Sequence, residues 1–372
     1  MKDNTKLAYQ KAVSCLKACS TPNGMFASGA KDGYDAIWSR DSMISSLGAS
    51  LIKTKKEKQT LKNTFKESIK TLKYGQSKNG QIPNCVDKFS KRDPHVDFKT
   101  IDSSLWYIIG NYIYKERYNA NLFFLSKKCS IKKTLKWLRC QDTGENGLPT
   151  QLPTSDWQDA FPHRYGYTIN TQALYYKVLN LLGKTKEAEK LKKIINEDKE
   201  DGLWEGDFYL PYRWKNHGVY REVGDWFDSL GNLLAIIFDL ADKKRAEKIL
   251  SYIEKNKINQ PYPVRVIYPP ITEDSPHWQS YFLDCDAGTP HHYSNGGIWG
   301  YVGGFYILAL IKMNKMKRAE EELKKLAERN LNGDFPEWTN PLTKEHHGNV
   351  QAWEAGMYIL AYESLKAKKV LI

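Results

Sequence analysis

The chain has 372 residues, of which 41% are apolar and 13% aromatic, so it can build a large hydrophobic core. Its net charge of +13 comes from lysines interleaved with glutamates on helical faces. This pattern is typical of a solvated surface and not of the concentrated basic stripe of a nucleic-acid-binding protein. No apolar run approaches the roughly 18 residues of a membrane span, and the N-terminus lacks the apolar segment of a signal peptide. Six scattered cysteines without a CxxC pair indicate a reduced, cytoplasmic protein that has neither disulfides nor zinc.

Apolar residues recur at three- and four-residue spacing along most of the chain, which predicts helices. No convincing set of alternating strands is present, and the proline-bounded segment 261–270 is expected to be an extended loop. About twelve helices are predicted, over residues 7–19, 42–52, 60–72, 103–114, 131–138, 171–182, 188–195, 230–240, 246–253, 304–313, 319–326 and 352–365.

The connections between these helices alternate between short ones and long ones rich in Gly, Pro, Asp and Trp. Long loops are uncommon in compact domains unless they are functional. Helix pairs with long loops on one side predict an all-α (α/α)6 barrel, a toroid of two rings of six helices with its site at one mouth. A helical-repeat solenoid is the competing architecture, but no consensus recurs at a fixed period. Because no linker divides the chain, residues 1–372 are expected to form a single domain.

Seven loop segments combine a carboxylate or amide with aromatic residues, in nearly every case a tryptophan. Aromatic faces pack on the C–H surface of a sugar, while polar side chains hold its hydroxyl groups. The alternative is that individual aspartates cap helices, since Asp41, Asp102 and Asp228 each precede an apolar helical run. Seven such segments together favour a carbohydrate-binding cleft. They cover residues 34–42, 80–84, 100–106, 154–159, 224–228, 289–299 and 334–340.

Hydrolysis of an acetal needs one protonated carboxyl group for the leaving oxygen and one carboxylate that activates water. In enzymes that invert the anomeric centre, the two groups stand about 6.5–9.5 Å apart. Composition alone does not select the pair among 43 acidic residues. Asp159 in SDWQDAF and Glu337 in DFPEWTN are the candidates, because aromatic, weakly charged surroundings raise a carboxyl pKa.

Five motifs, in this order along the chain, resemble glycoside hydrolase family 100, the alkaline/neutral invertases: YDAIWSRD, IDSSLWYII, FDSLGNLLAII, TPHHYSNGGIW and FPEWTNPLTKEHHGNVQAW. The resemblance covers nearly the whole chain. More loosely, the chain is similar to trehalases, processing alpha-glucosidases and the amylo-alpha-1,6-glucosidase part of debranching enzymes. The resemblance implies an inverting, exo-acting glycoside hydrolase that cleaves an alpha-glucosidic bond of sucrose or another disaccharide or short oligosaccharide.

The resemblance also implies roles for individual residues. Asp159 matches the family's general acid, because it lies thirteen residues before Gln172 of INTQALYY. Glu337 of the Pro-Glu-Trp motif matches the general base. Asp156 is the alternative acid, and its other interpretation is that it hydrogen-bonds the loop. The sugar subsite is expected to contain Trp38, Arg40, Asp41, Asp102, Trp106, Asp156, Gln172, Asn295, Trp299 and Gln351.

The chain departs from the family directly after the expected acid. Ala160-Phe161-Pro162-His163 stand where the family has Arg-Arg-Met-Gly, and Asp-Trp-Gln-Asp-Ala resembles instead the Thr-Trp-Met-Asp-Ala of debranching-type glucosidases. The segment 204–223 is shorter than in plant-type invertases. These differences fall where the leaving-group side of the cleft is expected.

Two other functions remain open from the sequence. A sugar isomerase of the N-acylglucosamine 2-epimerase type uses the same toroid with a histidine acid/base pair, for which His163 and His292 are candidates. A non-catalytic sugar-binding protein is the third hypothesis. No cofactor is expected, since phosphate-binding and dinucleotide-binding motifs and a nucleophile elbow are missing. No metal is expected either, because the adjacent pairs His291-His292 and His346-His347 are poorly placed to bind one ion. The expected partner is a small saccharide, and the oligomeric state is not determined by the sequence.

Overall fold

The computed structural model describes residues 4–31, 33–87, 96–217, 219–284 and 288–372. Within these ranges the protein is built from thirteen α-helices. In chain order they are α1 (Asn4–Ala18), α2 (Ser39–Ala49), α3 (Lys55–Tyr74), α4 (Asp102–Tyr118), α5 (Asn121–Leu125), α6 (Lys128–Arg139), α7 (Ile169–Leu181), α8 (Thr185–Glu197), α9 (Ser229–Ile237), α10 (Lys243–Lys255), α11 (Gly300–Lys312), α12 (Met316–Asn332) and α13 (Ala352–Ala367).

Six helices form a closed inner ring, in the order α2, α4, α7, α9, α11, α13 and back to α2. Every residue of α2 and α9 is buried, as expected for helices surrounded by protein on all sides. Small residues allow α2 and α13 to approach closely, because a β-carbon on Gly48 of α2 would collide with the carbonyl oxygen of Gly356 in α13. The contact between α13 and α2 closes the ring, which distinguishes this fold from an open solenoid.

The outer ring consists of the amphipathic helices α1, α3, α6, α8, α10 and α12. Helix α8 shows the pattern, since it buries only Ala188, Leu191 and Ile195 and turns its lysines and glutamates outward. The twelve predicted helices are all present, the short α5 is additional, and the predicted (α/α)6 barrel is confirmed. In the part of the chain that the structure describes, no helix is long and apolar enough to span a bilayer.

Each inner helix follows a long connection, and the residues that begin α2, α11 and α13 line one cavity. The opposite end has short turns, such as those between α7 and α8 and between α11 and α12. The inner helices therefore present their first turns to a common mouth. This geometry gathers the long connections at one end of the barrel.

Short antiparallel strands join the mouth connections to one another. The sequence pattern did not predict them. Most have only two residues, too short to show alternation, and the longer hairpin 212–217 and 220–223 carries mainly polar side chains. Part of the segment 261–270, expected to be a loop, forms a two-residue strand, Ile267–Tyr268, which pairs with Phe227–Asp228. The strands are β1 (Ser20–Thr21), β2 (Gly24–Met25), β3 (Ile37–Trp38), β4 (Cys85–Val86), β5 (Val96–Asp97), β6 (Tyr167–Thr168), β7 (Tyr212–His217), β8 (Tyr220–Val223), β9 (Phe227–Asp228), β10 (Ile267–Tyr268), β11 (Trp338–Thr339) and β12 (His346–His347). They pair as β1-β2, β3-β4-β5, β6-β7-β8, β9-β10 and β11-β12.

Candidate active site

A cavity of about 150 Å³ opens at the mouth of the barrel. This is about ten times the space that one water molecule needs. A cavity of about 150 Å³ is large enough to bind one six-membered ring such as benzene, so this cavity has the scale of a single sugar ring. Its wall consists of Ala27, Tyr34, Trp38, Arg40, Asp41, Trp157, Asp159, Tyr293, Trp299, Glu337, Gln351 and Trp353.

Asp159 lies at this wall beside a buried arginine. Nη2 of Arg40 is 3.3 Å from Oδ2 of Asp159, and Nη1 of Arg40 donates to Oδ1 of Asn84 at 2.9 Å. The buried Asp102 accepts from the same Nη1 at 3.4 Å and so helps to fix the guanidinium. Burial raises the pKa of Asp159, while the charge of Arg40 opposes that rise. The carboxyl group nevertheless remains open, with a side chain that is 33% exposed.

Glu337 is the second carboxylate at the wall, immediately before β11. The Tyr34 hydroxyl donates a hydrogen bond to it. Burial raises the pKa of Glu337 to about 8, the Tyr34 hydrogen bond lowers it, and the negative charges of Asp41 and Asp159 raise it further. Asp159 and Glu337 thus lie close enough to influence each other's charge. Both carboxyl groups line the same cavity, so a bound group can contact both of them.

The loop that carries Glu337 is held by the buried Arg329 of α12. Nη2 of Arg329 donates to the carbonyl oxygens of Pro336 at 3.1 Å and Glu337 at 3.3 Å. Its Nη1 pairs with Oε2 of Glu354 in α13 at 2.9 Å, and both side chains are 0% exposed. Burial raises the pKa of Glu354 to about 7, which Arg329 opposes. The position of Glu337 therefore depends on an ion pair between two helices.

Aromatic rings form much of the cavity wall. Trp299 meets Trp157 edge-on with ring centroids 5.7 Å apart, and it meets Tyr293 edge-on at 5.0 Å. The indole N–H groups of Trp38, Trp157 and Trp353 are buried and have no acceptor among the described residues. Buried indole N–H groups normally find a partner. A wall of rings with spare donors suits a ligand that carries both C–H faces and hydroxyl groups.

The structure brings together seven of the residues predicted from the sequence. At the cavity wall are Trp38, Arg40, Asp41, Asp159, Trp299, Glu337 and Gln351. Sequence reasoning missed the wall residues Ala27, Tyr34, Trp157, Tyr293 and Trp353. Four of these are aromatic and lie in the same motifs as selected residues, so the aromatic content of the motifs was the available signal.

Two other predicted residues lie below the cavity and not at its wall. Asp102 is 0% exposed and accepts from Arg40. Trp106 is 1% exposed and packs against Phe305 of α11, with ring centroids 6.1 Å apart. Asp102 thus orients Arg40, and Trp106 fills the core between α4 and α11; that both belong to the sugar subsite stays a prediction.

Asp156 also lies away from the cavity. Its Oδ2 is 2.7 Å from Nη2 of Arg164 and accepts from Gln151, while its Oδ1 accepts from the backbone N–H of Gln158. Arg164 pairs in addition with Asp228, and all three charged side chains are 0% exposed. Asp156 therefore holds its loop, as its alternative interpretation expected. Its carboxyl group is not placed to protonate a ligand.

The two predicted amides likewise hold connections in place. Nε2 of Gln172 donates to the carbonyl oxygen of Pro149 at 2.7 Å. Asn295 accepts from the N–H of Ile271 at 2.8 Å and donates to the carbonyl oxygens of Ile271 and Gly288. Neither amide lines the cavity, and that they contact the sugar stays a prediction.

The helix-cap alternative applies to one of its three aspartates. Asp228 is the N-cap of α9 and accepts from the N–H of Gly231. Asp41 and Asp102 lie inside the helices, as the third residue of α2 and the first residue of α4. Trp38 and Ile101 occupy the cap positions. Their carboxyl groups do not cap a helix and instead lie near Arg40, whose charge they help to balance.

The histidines proposed for an isomerase do not line the cavity. Nδ1 of His163 is 2.8 Å from the Tyr281 hydroxyl, and burial lowers the pKa of His163. His292 lies beside Trp338, with ring centroids 5.4 Å apart. Across the described ranges, no three His, Cys, Asp or Glu side chains converge as metal ligands would.

The cysteines that the structure describes are not joined in disulfides. They are Cys15, Cys19, Cys85, Cys129 and Cys140. Cys285, the sixth, lies outside the described residues.

Comparison with known proteins identifies relatives of this chain. Residues 221–367 match the family described as alkaline and neutral invertase. Neutral/alkaline invertase 1, mitochondrial, of Oryza sativa subsp. japonica is 33% identical over 140 residues, which are 36% of this chain and 22% of that protein. Probable alkaline/neutral invertase A, chloroplastic, of Arabidopsis thaliana is 24% identical over 96% of this chain and 69% of its own length. These matches confirm the resemblance that the motifs predict.

A solved structure shares the fold. The GH63 mannosylglycerate hydrolase from Thermus thermophilus, in complex with Tris and D-glycerate, superposes with a TM-score of 0.70 at 14% identity. The superposition covers 95% of this chain and 99% of that one. At this identity the likeness establishes the toroid, while activity has to be argued from the cavity.

Proposed function

We propose that this chain, which resembles the alkaline and neutral invertases, is an inverting, exo-acting glycoside hydrolase. Its target is an alpha-glucosidic bond of sucrose or of another disaccharide or short oligosaccharide. The observation that carries the proposal is the presence of two carboxyl groups, Asp159 and Glu337, at the wall of one cavity of single-ring size. A cavity of this size accepts the end of a chain, which favours exo action.

Asp159 acts as the general acid. With the sugar ring in the cavity, protonated Asp159 donates its proton to the glycosidic oxygen as the bond to the anomeric carbon breaks. Burial raises its pKa and so favours the protonated form before the reaction. Arg40, 3.3 Å away, then stabilises the carboxylate that remains.

Glu337 acts as the general base. Its carboxylate takes a proton from a water molecule that attacks the anomeric carbon on the face opposite the leaving group, so the configuration inverts. Both carboxyl groups line one cavity, which supplies a place for this water. Because burial raises the pKa of Glu337 to about 8, its carboxylate form, and with it kcat/KM, increases as the pH rises towards that value.

The isomerase alternative receives less support. It requires a histidine acid/base pair beside the sugar, whereas the candidates His163 and His292 stand outside the cavity wall. Incubation with free monosaccharides in heavy water tests it: exchange at carbon 2 would favour the isomerase over hydrolysis.

The substrate and stereochemistry are tested together. Sucrose, trehalose, isomaltose, kojibiose and mannosylglycerate are screened for released sugar, and NMR identifies the first anomer formed from the best substrate. We expect beta-glucose from an alpha-glucoside. Initial release of the alpha anomer would rule out the two-carboxylate inverting mechanism.

Variants test the pair directly. Asp159→Asn and Glu337→Gln should each lower kcat by about 10²–10⁴-fold while circular dichroism stays unchanged. Glu345→Gln is the matched control, because this glutamate is 68% exposed and lies outside the cavity wall. A Glu337→Gln enzyme with the activity of the control would refute the assignment.

A further inference from the structure

The segment that follows Asp159 packs beside the cavity, because Tyr293 of the cavity wall contacts the apolar cluster that contains Phe161 and Phe282; we call this side of the mouth the rim. His163 lies four positions after Asp159, a span of at most about 14 Å of chain. Asp159 is also the most open carboxylate at the cavity, since its side chain is 33% exposed whereas Asp41 is 6% exposed. A leaving group protonated by Asp159 therefore departs towards this rim.

Buried packing holds the rim in shape. Phe161 is 0% exposed and meets Phe282 edge-on, with ring centroids 4.5 Å apart. Phe282 belongs to the short 3-10 helix Ser280–Asp284, which carries Tyr281. The Tyr281 hydroxyl lies 2.8 Å from Nδ1 of His163. Two distant parts of the chain are thus locked together next to Asp159.

Three rings, His163, Tyr165 and Tyr281, make up what we call the aromatic rim. His163 meets Tyr165 edge-on at 5.5 Å and lies 6.0 Å from Tyr281, between ring centroids. Tyr281 is 42% exposed, and the other two are partly exposed. Burial lowers the pKa of His163, so the imidazole is neutral at neutral pH. The rim offers faces and edges of uncharged rings.

A second opening leads from the cavity and is lined mainly by polar and charged residues. A groove of about 650 Å³ shares Tyr34, Glu337 and Gln351 with the cavity, and Ser28, Lys31 and Asn349 extend it. Asp159 does not line this groove. Because the leaving oxygen must lie beside the acid, the groove is not the place for the leaving group.

We propose that the aromatic rim binds the leaving group and that this group is a neutral pyranose ring. The inference rests on the proposed hydrolase function. Uncharged rings pack well on the C–H faces of a pyranose and offer no cation for an anionic leaving group. The preferred substrate is therefore a disaccharide of two pyranoses, ahead of sucrose, whose leaving group is a furanose.

The test compares a leaving group that has a ring with one that has none. Wild type, Tyr281→Ala and Tyr281→Phe are assayed with kojibiose, isomaltose, trehalose and sucrose, and with alpha-glucosyl fluoride, whose leaving group is a single atom. Tyr281→Ala should lose about three- to tenfold more kcat/KM on the pyranosyl disaccharide that is cleaved best than on the fluoride. Tyr281→Phe, which keeps the ring, should retain most of the wild-type ratio.

Tyr74→Ala is the matched control, because Tyr74 is 78% exposed at the end of outer helix α3. An equal loss on both kinds of substrate, no loss at all, or faster cleavage of sucrose than of every pyranosyl disaccharide would overturn the inference. These outcomes leave the hydrolase proposal standing, since they require turnover. A wild-type enzyme that cleaves neither the fluoride nor any disaccharide would instead refute the hydrolase proposal itself.

Discussion

Replacement of Tyr34 by phenylalanine is the most informative single change at this site. The variant keeps the ring at the cavity wall and removes the hydroxyl that donates to Glu337. That hydrogen bond stabilises the carboxylate and so lowers the pKa of Glu337 below the value that burial alone would impose. Its loss should therefore raise the pKa of Glu337 from about 8.

The size of the shift follows from the strength of the bond. A hydrogen bond to a charged group contributes about 1.5–3 kcal/mol. Tyr34 is 39% exposed, so water can partly replace its hydroxyl, and the lower end of this range applies. Since one pKa unit corresponds to about 1.4 kcal/mol, we expect a rise of about one unit. Near neutral pH the fraction of ionised Glu337, and with it kcat/KM, would then fall about tenfold.

The assay is the pH dependence of kcat/KM, which reports ionisation in the free enzyme. The rising limb of Tyr34→Phe should move about one unit to higher pH, while the falling limb, which reports the loss of the Asp159 proton, stays in place. Tyr262→Phe is the matched control, because the Tyr262 hydroxyl donates to Glu328 at 3.2 Å away from the cavity. If the rising limb of Tyr34→Phe stays with that of the control, or if the falling limb moves instead, Glu337 is not the base.

Three further predictions concern roles and stability. Asp159→Asn should retain activity on alpha-glucosyl fluoride, because fluoride leaves without a proton. Glu337→Gln should lose that activity. If rate measurements gave the opposite result, the two residues would have exchanged roles. Arg329→Met should cost about 3–5 kcal/mol of unfolding free energy in urea, because it strands the buried carboxylate of Glu354, and adding Glu354→Met should recover part of it. A double variant no more stable than the single one would contradict this account. Gly48→Ala should cost about 1–3 kcal/mol in thermal unfolding, because its β-carbon overlaps the backbone of α13, and an unchanged Tm would show that the ring relaxes.

The helices could be predicted from sequence because their periodicity extends over many residues. In the outer ring the pattern is direct, as in α8, where three apolar residues face inward. In the inner ring it is weaker, since α2 and α9 are buried on every side and carry small, polar and apolar residues alike. Most of the strands at the mouth could not be predicted, because two residues do not establish an alternation.

The site could be predicted in part. Motifs placed Asp159 and Glu337 at the mouth, but a motif does not say which polar side chain in a first helical turn faces the cavity. Arg40 and Asp102 begin neighbouring inner helices, yet only Arg40 reaches the wall, while Asp102 is covered by it. Asp156 is likewise enclosed, because Arg164 takes the position facing it. Such choices depend on tertiary packing, which a linear pattern does not contain.

The gathering of long connections at one end of the barrel has a consequence for how such an enzyme diversifies. Asp159 lies on the connection between α6 and α7, Glu337 on the one between α12 and α13, and Tyr281 on the one between α10 and α11. Exchange of the whole last connection would also replace Tyr293 and Trp299 of the cavity wall, whereas a substitution at Tyr281 alone replaces no residue of that wall. Directed evolution can therefore vary the leaving-group side by point substitutions in a connection that carries neither carboxyl group.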